Sequence, residues 1–147
     1  YQTEFFDGAV SQHVTMNIKN RKEFFLEAFR VLKKGTFFAF SEHGLGPEGN
    51  PIFPLPWADT SEMSFLLSPE STKSLLKEIG FYDIQIIETS DKYISGYEKM
   101  INTKSKKDNP ILGIHVIGGA TMKQRSINSM KSIKEKRTLP FEIVCKK

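Results

Sequence analysis

Two short apolar segments flank an amphipathic helix, and this order constrains the fold more than any other feature of the sequence. The first, residues 5–11, is a short run of large apolar and small residues. The second, residues 36–41, is apolar on both faces, as strands are when helices cover both sides of their sheet. Between them, from the N-cap Asn20 to Gly35, apolar residues recur at helical spacing. Strands that alternate with helices form mostly parallel sheets through right-handed crossovers. The sequence therefore predicts an α/β fold.

A proline-rich and glycine-rich stretch interrupts this alternation. Residues 44–67 contain too many glycines and prolines for a regular element, so we predict an irregular insertion. After it, Ser68 is a good N-cap and Pro69 suits the first position of a helix that ends at Gly80. A third strand is predicted over residues 81–88.

The C-terminal part of the chain predicts a basic helical insertion over residues 93–137 and a final strand over 141–145. Its elements are a short helix over 93–102, a segment over 111–117 that fits a strand or a helix equally well, and a helix over 121–136 with Arg125 on its outer face.

The composition is that of an ordinary globular domain, with 39% hydrophobic and 26% charged residues. Cys145 is the single cysteine, so an intrachain disulfide and a multi-cysteine metal site are both excluded. The sequence has no apolar run of the roughly 18 residues that a membrane helix needs, and its N-terminus does not resemble a signal peptide. We therefore expect a cytoplasmic protein that does not enter a membrane.

Charge is distributed unevenly along the chain. Residues 1–98 carry a formal charge of −5 and residues 99–147 carry +9, which gives +4 for the whole chain. A basic segment invites a nucleic-acid interpretation. However, the lysines are scattered over a predicted helix without the interleaved aromatic residues on which bases stack. We expect a solvated helix face and no nucleic-acid partner.

Three familiar motifs do not support a function. The pattern G-x-G-x-x-G occurs at residues 44–49, but a dinucleotide loop must open a helix, and here prolines follow. The histidines, His13, His43 and His115, lack the paired spacing of a zinc site. A G-x-S-x-G nucleophile elbow does not occur either. We therefore expect no metal and no serine hydrolase chemistry.

Polar residues follow both N-terminal strands at the point where each strand ends. Ser11, Gln12 and His13 follow the first strand, and Glu42 and His43 follow the second. Ligands of open parallel sheets bind at the carboxyl ends of the strands. We expect both groups of residues to lie on the same rim of the sheet.

The chain resembles the latter half of class I S-adenosylmethionine-dependent methyltransferases. The residues that carry the resemblance are Phe6-Asp7-Gly8-Ala9-Val10-Ser11-Gln12-His13, Glu27-Ala28-Phe29-Arg30-Val31-Leu32-Lys33-Lys34-Gly35 and Phe37-Phe38-Ala39-Phe40. The likeness is to the small-molecule branch that includes ubiquinone-biosynthesis and sarcosine/dimethylglycine methyltransferases. It implies a Rossmann-like sheet of which this chain supplies strands four to seven, mostly parallel with an antiparallel last strand, and an irregular substrate cap over residues 44–67.

The glycine-rich loop D-x-G-x-G-x-G, with which this family binds the cofactor, does not occur in the sequence. The acidic residue after the second strand of the family is missing as well. The resemblance therefore implies a partial methyltransferase domain over residues 1–147, about half of a complete one, which we expect to be inactive in isolation.

The resemblance also implies roles for the rim residues. Ser11, Gln12 and His13 would lie beside the methionine and sulfonium end of S-adenosylmethionine. His43 and Trp57 would face a small-molecule methyl acceptor, with Trp57 as an aromatic wall. His13 and His43 are the candidates for proton transfer, and Glu42 would stand behind them. Where the acceptor carries a proton, such a residue accelerates the reaction.

Two alternatives to a small-molecule methyltransferase remain open at this point. The first is a methyltransferase-like interaction or dimerisation module without activity, which the missing cofactor loop favours. The second is a nucleic-acid methyltransferase or binder, which has only the basic segment in its support. In either case half a parallel sheet leaves one flank uncovered, so we expect a homodimer or another chain to cover it.

Overall fold

A computed structural model describes residues 1–102 and 119–147, and the segment predicted over 111–117 lies outside them, as does His115. The helices and strands, numbered in chain order, are β1 (Phe6–Gln12), α1 (Arg21–Val31), β2 (Leu32–Leu45), α2 (Pro69–Ile79), β3 (Tyr82–Glu88), α3 (Ser90–Asn102), α4 (Met122–Lys134) and β4 (Thr138–Lys146). In these two ranges, no helix is long and apolar enough to span a membrane.

The four strands form one mixed sheet in the order β1-β2-β4-β3. β1 pairs with β2 in parallel, as a strand-helix-strand unit requires. β4 lies between β2 and β3 and is antiparallel to both. Three of the four strands thus run in one direction and the last runs against them, which confirms the predicted fold class.

β2 is longer than predicted at both ends. α1 ends at Val31, before the predicted stop at Gly35, because Leu32 already pairs with Phe6 of β1. Gly35 instead provides a turn at φ 76° inside an irregular stretch of the strand. At its other end, β2 continues through residues 42–45 because β4 supplies antiparallel partners there.

The hydrophobic core lies on one face of the sheet, under α1 and α2. Its fully buried members are Phe25, Leu32, Phe38, Phe40, Leu76, Phe81, Phe141, Ile143 and Cys145. α2 begins as the sequence predicts, since the Ser68 side chain accepts a hydrogen bond from the backbone N–H of Ser71. It ends at Gly80, whose φ of 117° is a left-handed conformation that glycine tolerates.

Part of the opposite face of the sheet, away from the cavity, is uncovered among the described residues. Large apolar side chains on this face are exposed, and Val10 of β1 is 67% accessible. Val144 of β4 and Phe37 of β2 are exposed in the same way. β1 is also an edge strand. The free edge beside β1 is where the sequence predicts an uncovered flank.

Candidate functional site

A helical cap lies over the carboxyl ends of β1 and β2. It consists of α3, α4 and residues 51–59, which belong to the irregular insertion. α4 binds this segment through polar side chains: Arg125 Nη1 donates to the carbonyl oxygen of Leu55 at 2.7 Å, and Asn128 Nδ2 donates to that of Pro54 at 3.0 Å. Arg125 also pairs with Asp59. The predicted outward position of Arg125 is therefore wrong, because its guanidinium neutralises a carboxylate and satisfies a backbone carbonyl within the cap.

A cavity of about 570 Å³ opens between this cap and the strand ends. That volume suits a small organic ligand. Most of its described lining is aromatic, imidazole or thioether: His13, His43, Trp57, Tyr93, Tyr97, Met16, Met100 and Met122. His43 and Trp57, which the resemblance places on the acceptor side, thus meet His13 around one cavity.

His13 occupies a turn immediately after β1. Its φ of 53° is uncommon for a residue with a side chain, and its backbone N–H donates to the Ser41 carbonyl oxygen at 2.9 Å. This bond fixes the backbone of His13 against β2. The Nε2 atom lies 2.8 Å from the Tyr93 hydroxyl on α3, within hydrogen-bond distance. Burial of part of the ring lowers the pKa of His13, which favours a neutral imidazole at neutral pH.

His43 is almost completely enclosed, with 2% of its surface accessible. Its ring stacks on Trp57 with centroids 4.5 Å apart, and Tyr93 meets it edge-on at 4.9 Å. Burial, with a further contribution from His13, lowers the pKa of His43 to about 3, so the imidazole is neutral at physiological pH. Nδ1 is buried and has no hydrogen-bond partner among the residues that the structure describes. An unsatisfied buried polar atom beside a cavity marks a position where a ligand can supply the missing bond.

Trp57 is held in place by a hydrogen bond within the insertion. The insertion turns back at residues 61–63, and Ser64 Oγ accepts a hydrogen bond from Trp57 Nε1 at 3.0 Å. The indole nitrogen is thereby satisfied without a ligand. Trp57 therefore offers the cavity an apolar surface rather than a hydrogen-bond donor.

Glu42 does not stand behind the histidines. Adjacent residues of a strand point to opposite faces, and the Glu42 side chain is buried on the α1 side of the sheet, outside the cavity lining. There its carboxylate pairs with Arg21 Nη1 at 2.8 Å and accepts a hydrogen bond from Thr15. Burial raises the pKa of Glu42, while Arg21 and Thr15 act in the opposite direction. The geometry gives this residue a structural contact and no access to the cavity.

Ser11 and Gln12 also lie outside the cavity. They line a shallow groove of about 170 Å³ between β1, β2 and β4, together with Val10 and Ala39. Of the three residues that the resemblance places beside the cofactor, His13 alone reaches the cavity. The ends of β1 and β2 thus lie side by side, as predicted. Their polar side chains, however, line two separate sites: His13 and His43 line the cavity, and Ser11 and Gln12 line the groove.

One face of α3 contributes lining residues that were not predicted from the sequence. Tyr93, Gly96, Tyr97 and Met100 all line the cavity. Their spacing, i, i+3, i+4 and i+7, is that of residues on one side of a helix. This pattern was visible in the sequence and is the signal that would have found them. Tyr97 is fixed by Ser129 of α4, which donates to its hydroxyl at 3.0 Å.

Charged groups are nearly absent from the cavity. Among its described lining residues Lys92 is the only one with a formal charge, and it is exposed. In residues 1–102 and 119–147, no three histidine, cysteine or acidic side chains are placed to hold a metal ion. The chemistry of the lining is that of neutral hydrogen-bonding groups and aromatic rings.

Comparisons with known proteins find that this fold is similar to that of methyltransferases. A family model described as a methyltransferase domain matches residues 1–40, which comprise β1, α1 and most of β2. A search of curated proteins finds no match. Among solved structures, a Galdieria sulphuraria protein assigned as a sarcosine dimethylglycine methyltransferase matches with a TM-score of 0.77 and 16% identity. The match covers 99% of this chain and 54% of that protein.

Two further structures support the same assignment of the fold. Haemonchus contortus phosphoethanolamine N-methyltransferase 2, in complex with S-adenosyl-L-methionine, matches with a TM-score of 0.74 and 14% identity over 100% of this chain and 34% of its own. Geranyl diphosphate C-methyltransferase from Streptomyces coelicolor, in complex with S-adenosyl-L-homocysteine, matches with a TM-score of 0.70 and 13% identity over 99% and 49%.

The chain therefore has the fold of part of a class I S-adenosylmethionine-dependent methyltransferase domain, and the resemblance seen in the sequence is confirmed for the fold. It spans between about a third and about half of the length of the structures that it matches. These relatives include enzymes named for small-molecule substrates. The chain is similar to them in fold.

Proposed function

We propose that the protein transfers a methyl group from S-adenosylmethionine to a small molecule bound in the cavity under the α3–α4 cap. One observation carries the proposal: the cavity lies at the carboxyl ends of β1 and β2, where open α/β sheets bind ligands, and two neutral histidines line it. The methyltransferase-like fold supplies the reaction class.

The residues at the end of β1 fit the cofactor chemically. Ser11 and Gln12 provide a hydroxyl and an amide, which can donate to and accept from the polar groups of an amino acid. His13 continues this polar series from the groove into the cavity. We assign these three residues to the methionine end of the cofactor. When bound, S-adenosylmethionine supplies an electrophilic methyl group.

His13 and His43 receive different roles because their surroundings differ. His13 is partly exposed and lies within hydrogen-bond distance of Tyr93, so it is the candidate to accept a proton from the acceptor. A pKa of about 3 makes His43 a weak base. Its unsatisfied Nδ1 suits it instead to hold the acceptor in a fixed orientation through a hydrogen bond.

Positioning is the main contribution that the cavity makes. Holding two reactants in line contributes up to roughly 7–11 kcal/mol in well-oriented systems. Here the strand ends carry the histidines, and α4 holds residues 52–55 through Arg125, Asn128 and Ser132. Rigid elements thus fix both walls of the site.

Methyl transfer is tested directly on the longest chain that the reading frame encodes. Tritiated S-adenosylmethionine and a panel of small amines, acids and phenols are incubated with the wild type and with His43→Ala. We expect turnover of the methylated compound to fall at least tenfold in the variant, since a well-placed hydrogen bond is worth about 1.5 kcal/mol. Unchanged turnover would show that His43 has no part in the reaction.

His13→Ala separates proton transfer from orientation. On an acceptor that carries a proton, we expect kcat to fall by about 10²-fold with little change in KM. On an acceptor without a proton, kcat should fall much less. Equal losses on both acceptors would contradict the role of His13 as a base.

A non-catalytic interaction module is the second candidate, and the uncovered sheet face favours it. Val10, Phe37 and Val144 are exposed on that face beside the free edge of β1. Light scattering over a range of protein concentrations would reveal self-association, and Val10→Lys should abolish it. A protein that remains monomeric and transfers methyl groups would exclude this candidate.

A further inference from the structure

We propose that the cavity selects acceptors in which an apolar or aromatic body carries an anionic group, and that Lys92 binds this group at the cavity mouth. The inference rests on the proposed function only in naming the ligand an acceptor. A carboxylate and a phosphate share the required chemistry, because both accept hydrogen bonds from an ammonium group.

The charge distribution of the lining supports an anion. No aspartate or glutamate lines the cavity among the described residues, and Lys92 is its one formally charged member. Lys92 precedes Tyr93 on the turn of α3 that faces the cavity. It is exposed, so the part of the lining that Lys92 contributes is in contact with solvent.

Lys92 also differs from other cations of the cap. Arg125 is paired with Asp59, and Lys134 is paired with Glu98 at 2.8 Å. Lys92, in contrast, has no carboxylate partner in residues 1–102 and 119–147. Its charge is therefore available to a ligand, whereas Arg125 and Lys134 already have carboxylate partners.

A cationic acceptor is the main competitor, because aromatic rings attract ammonium groups. Two features of the cavity oppose it. His43 already covers one face of the Trp57 ring at 4.5 Å. Lys92 would also repel a second cation, and no carboxylate of the described lining compensates that repulsion. An apolar body with an acidic group fits both the rings and the lysine.

Trp57 provides a direct reporter of binding, since it is the only tryptophan of the chain and lines the cavity. Its fluorescence is recorded during titration with four probes that share a phenyl group: 3-phenylpropionate, phenyl phosphate, the neutral 3-phenylpropionamide and the cation 3-phenylpropylamine. We expect the two anions to bind about tenfold more tightly than the amide, and the amine to bind most weakly.

Lys92→Gln tests the residue itself. The variant should lose about tenfold in affinity for both anions and retain its affinity for the amide, because only the charged contact is removed. Lys77→Gln is the matched control: it removes an exposed lysine from α2, which covers the other face of the sheet. This control should bind all four probes like the wild type.

Several results would overturn the inference. These are equal affinity for anion and amide, tightest binding of the amine, an unchanged anion affinity in Lys92→Gln, or no saturable response to any probe at millimolar concentration. A loss confined to one anion would identify the carboxylate or the phosphate as the group that Lys92 binds. Anion selectivity without any methyl transfer would contradict the proposed function alone, so the two failures are distinguishable.

Discussion

Glu42 and His43 are neighbours on β2, and both are almost completely buried, yet their surroundings are opposite. Glu42 points toward α1, where Arg21 and Thr15 satisfy its carboxylate. His43 points toward the cap, where its Nδ1 lacks a partner in the described part of the chain and a cavity adjoins its ring. At the end of one strand, the side facing α1 thus carries a structural contact, and the side facing the cap carries the candidate site.

The difference shows that a buried charge with its partner can hold segments of the fold together, whereas a buried polar group without a partner can be available to a ligand. The Arg21–Glu42 pair joins three segments, because Arg21 Nη2 also donates to the Phe65 carbonyl oxygen at 2.7 Å. The pair fixes the end of β2 on the side of the sheet that faces α1. On the other side, the unpaired nitrogen of His43 has a cost in stability that a bound ligand can offset. Each role can be tested by substituting the residue on which it depends.

The largest effect is expected from Arg21→Met. This change leaves the Glu42 carboxylate buried without its counter-ion, which costs about 3–5 kcal/mol of the free energy of unfolding. Urea unfolding measures it. The double variant Arg21→Met with Glu42→Leu removes both charges and should recover much of the loss. If the double variant were less stable than the single one, the pair would not be the structural contact described above.

Acidification is expected to lower the free energy of unfolding through His43, on the opposite side of the strand from Glu42. The pKa of His43 is lowered from 6.5 to about 3, so its neutral form stabilises the fold above pH 6.5. This stability is lost as the pH falls toward 3, at about 1.4 kcal/mol per pH unit. Between pH 6 and pH 5, His43→Phe should therefore lose about that much less than the wild type. Identical pH profiles would show that His43 is not buried in its neutral form.

The smallest effect on stability is expected from Tyr93→Phe. The change removes a hydroxyl within hydrogen-bond distance of His13 but keeps the ring, so the free energy of unfolding should fall by about 1 kcal/mol or less. The rate of methyl transfer should fall clearly even though the protein stays folded, because the orientation of His13 is lost. Tyr82→Phe, on the exposed face of β3, is the control and should change neither quantity. Equal behaviour of the two variants would remove Tyr93 from the site.

Sequence periodicity was sufficient for the part of the fold that carries the site. The strand-helix-strand order predicts a parallel pair, and therefore that His13 and His43 lie at the same edge. The same alternation implies that Glu42 and His43 point to opposite faces, so a position of Glu42 behind the histidines does not fit the geometry of a strand. That error was avoidable from the sequence alone.

Other features depend on contacts distant in the chain. Arg125 has an ordinary position for a solvent-facing cation on a helix, and only the carbonyl of Leu55 and the carboxylate of Asp59 turn it inward. α1 has to end before Gly35 because Leu32 pairs with Phe6. Local patterns contain no information about these partners, so such details require the folded structure.

Side-chain ¹⁵N NMR of the histidines tests the central claim most directly, with assignment from His13→Ala and His43→Phe. The spectra are recorded across a pH titration and then with S-adenosylhomocysteine added at neutral pH. We predict that His43 remains neutral until the pH approaches about 3 and that the ligand shifts the resonances of His13. A His43 that titrates near pH 6.5, together with a His13 that does not respond to the ligand, would contradict the assignment of this strand edge as the site of methyl transfer.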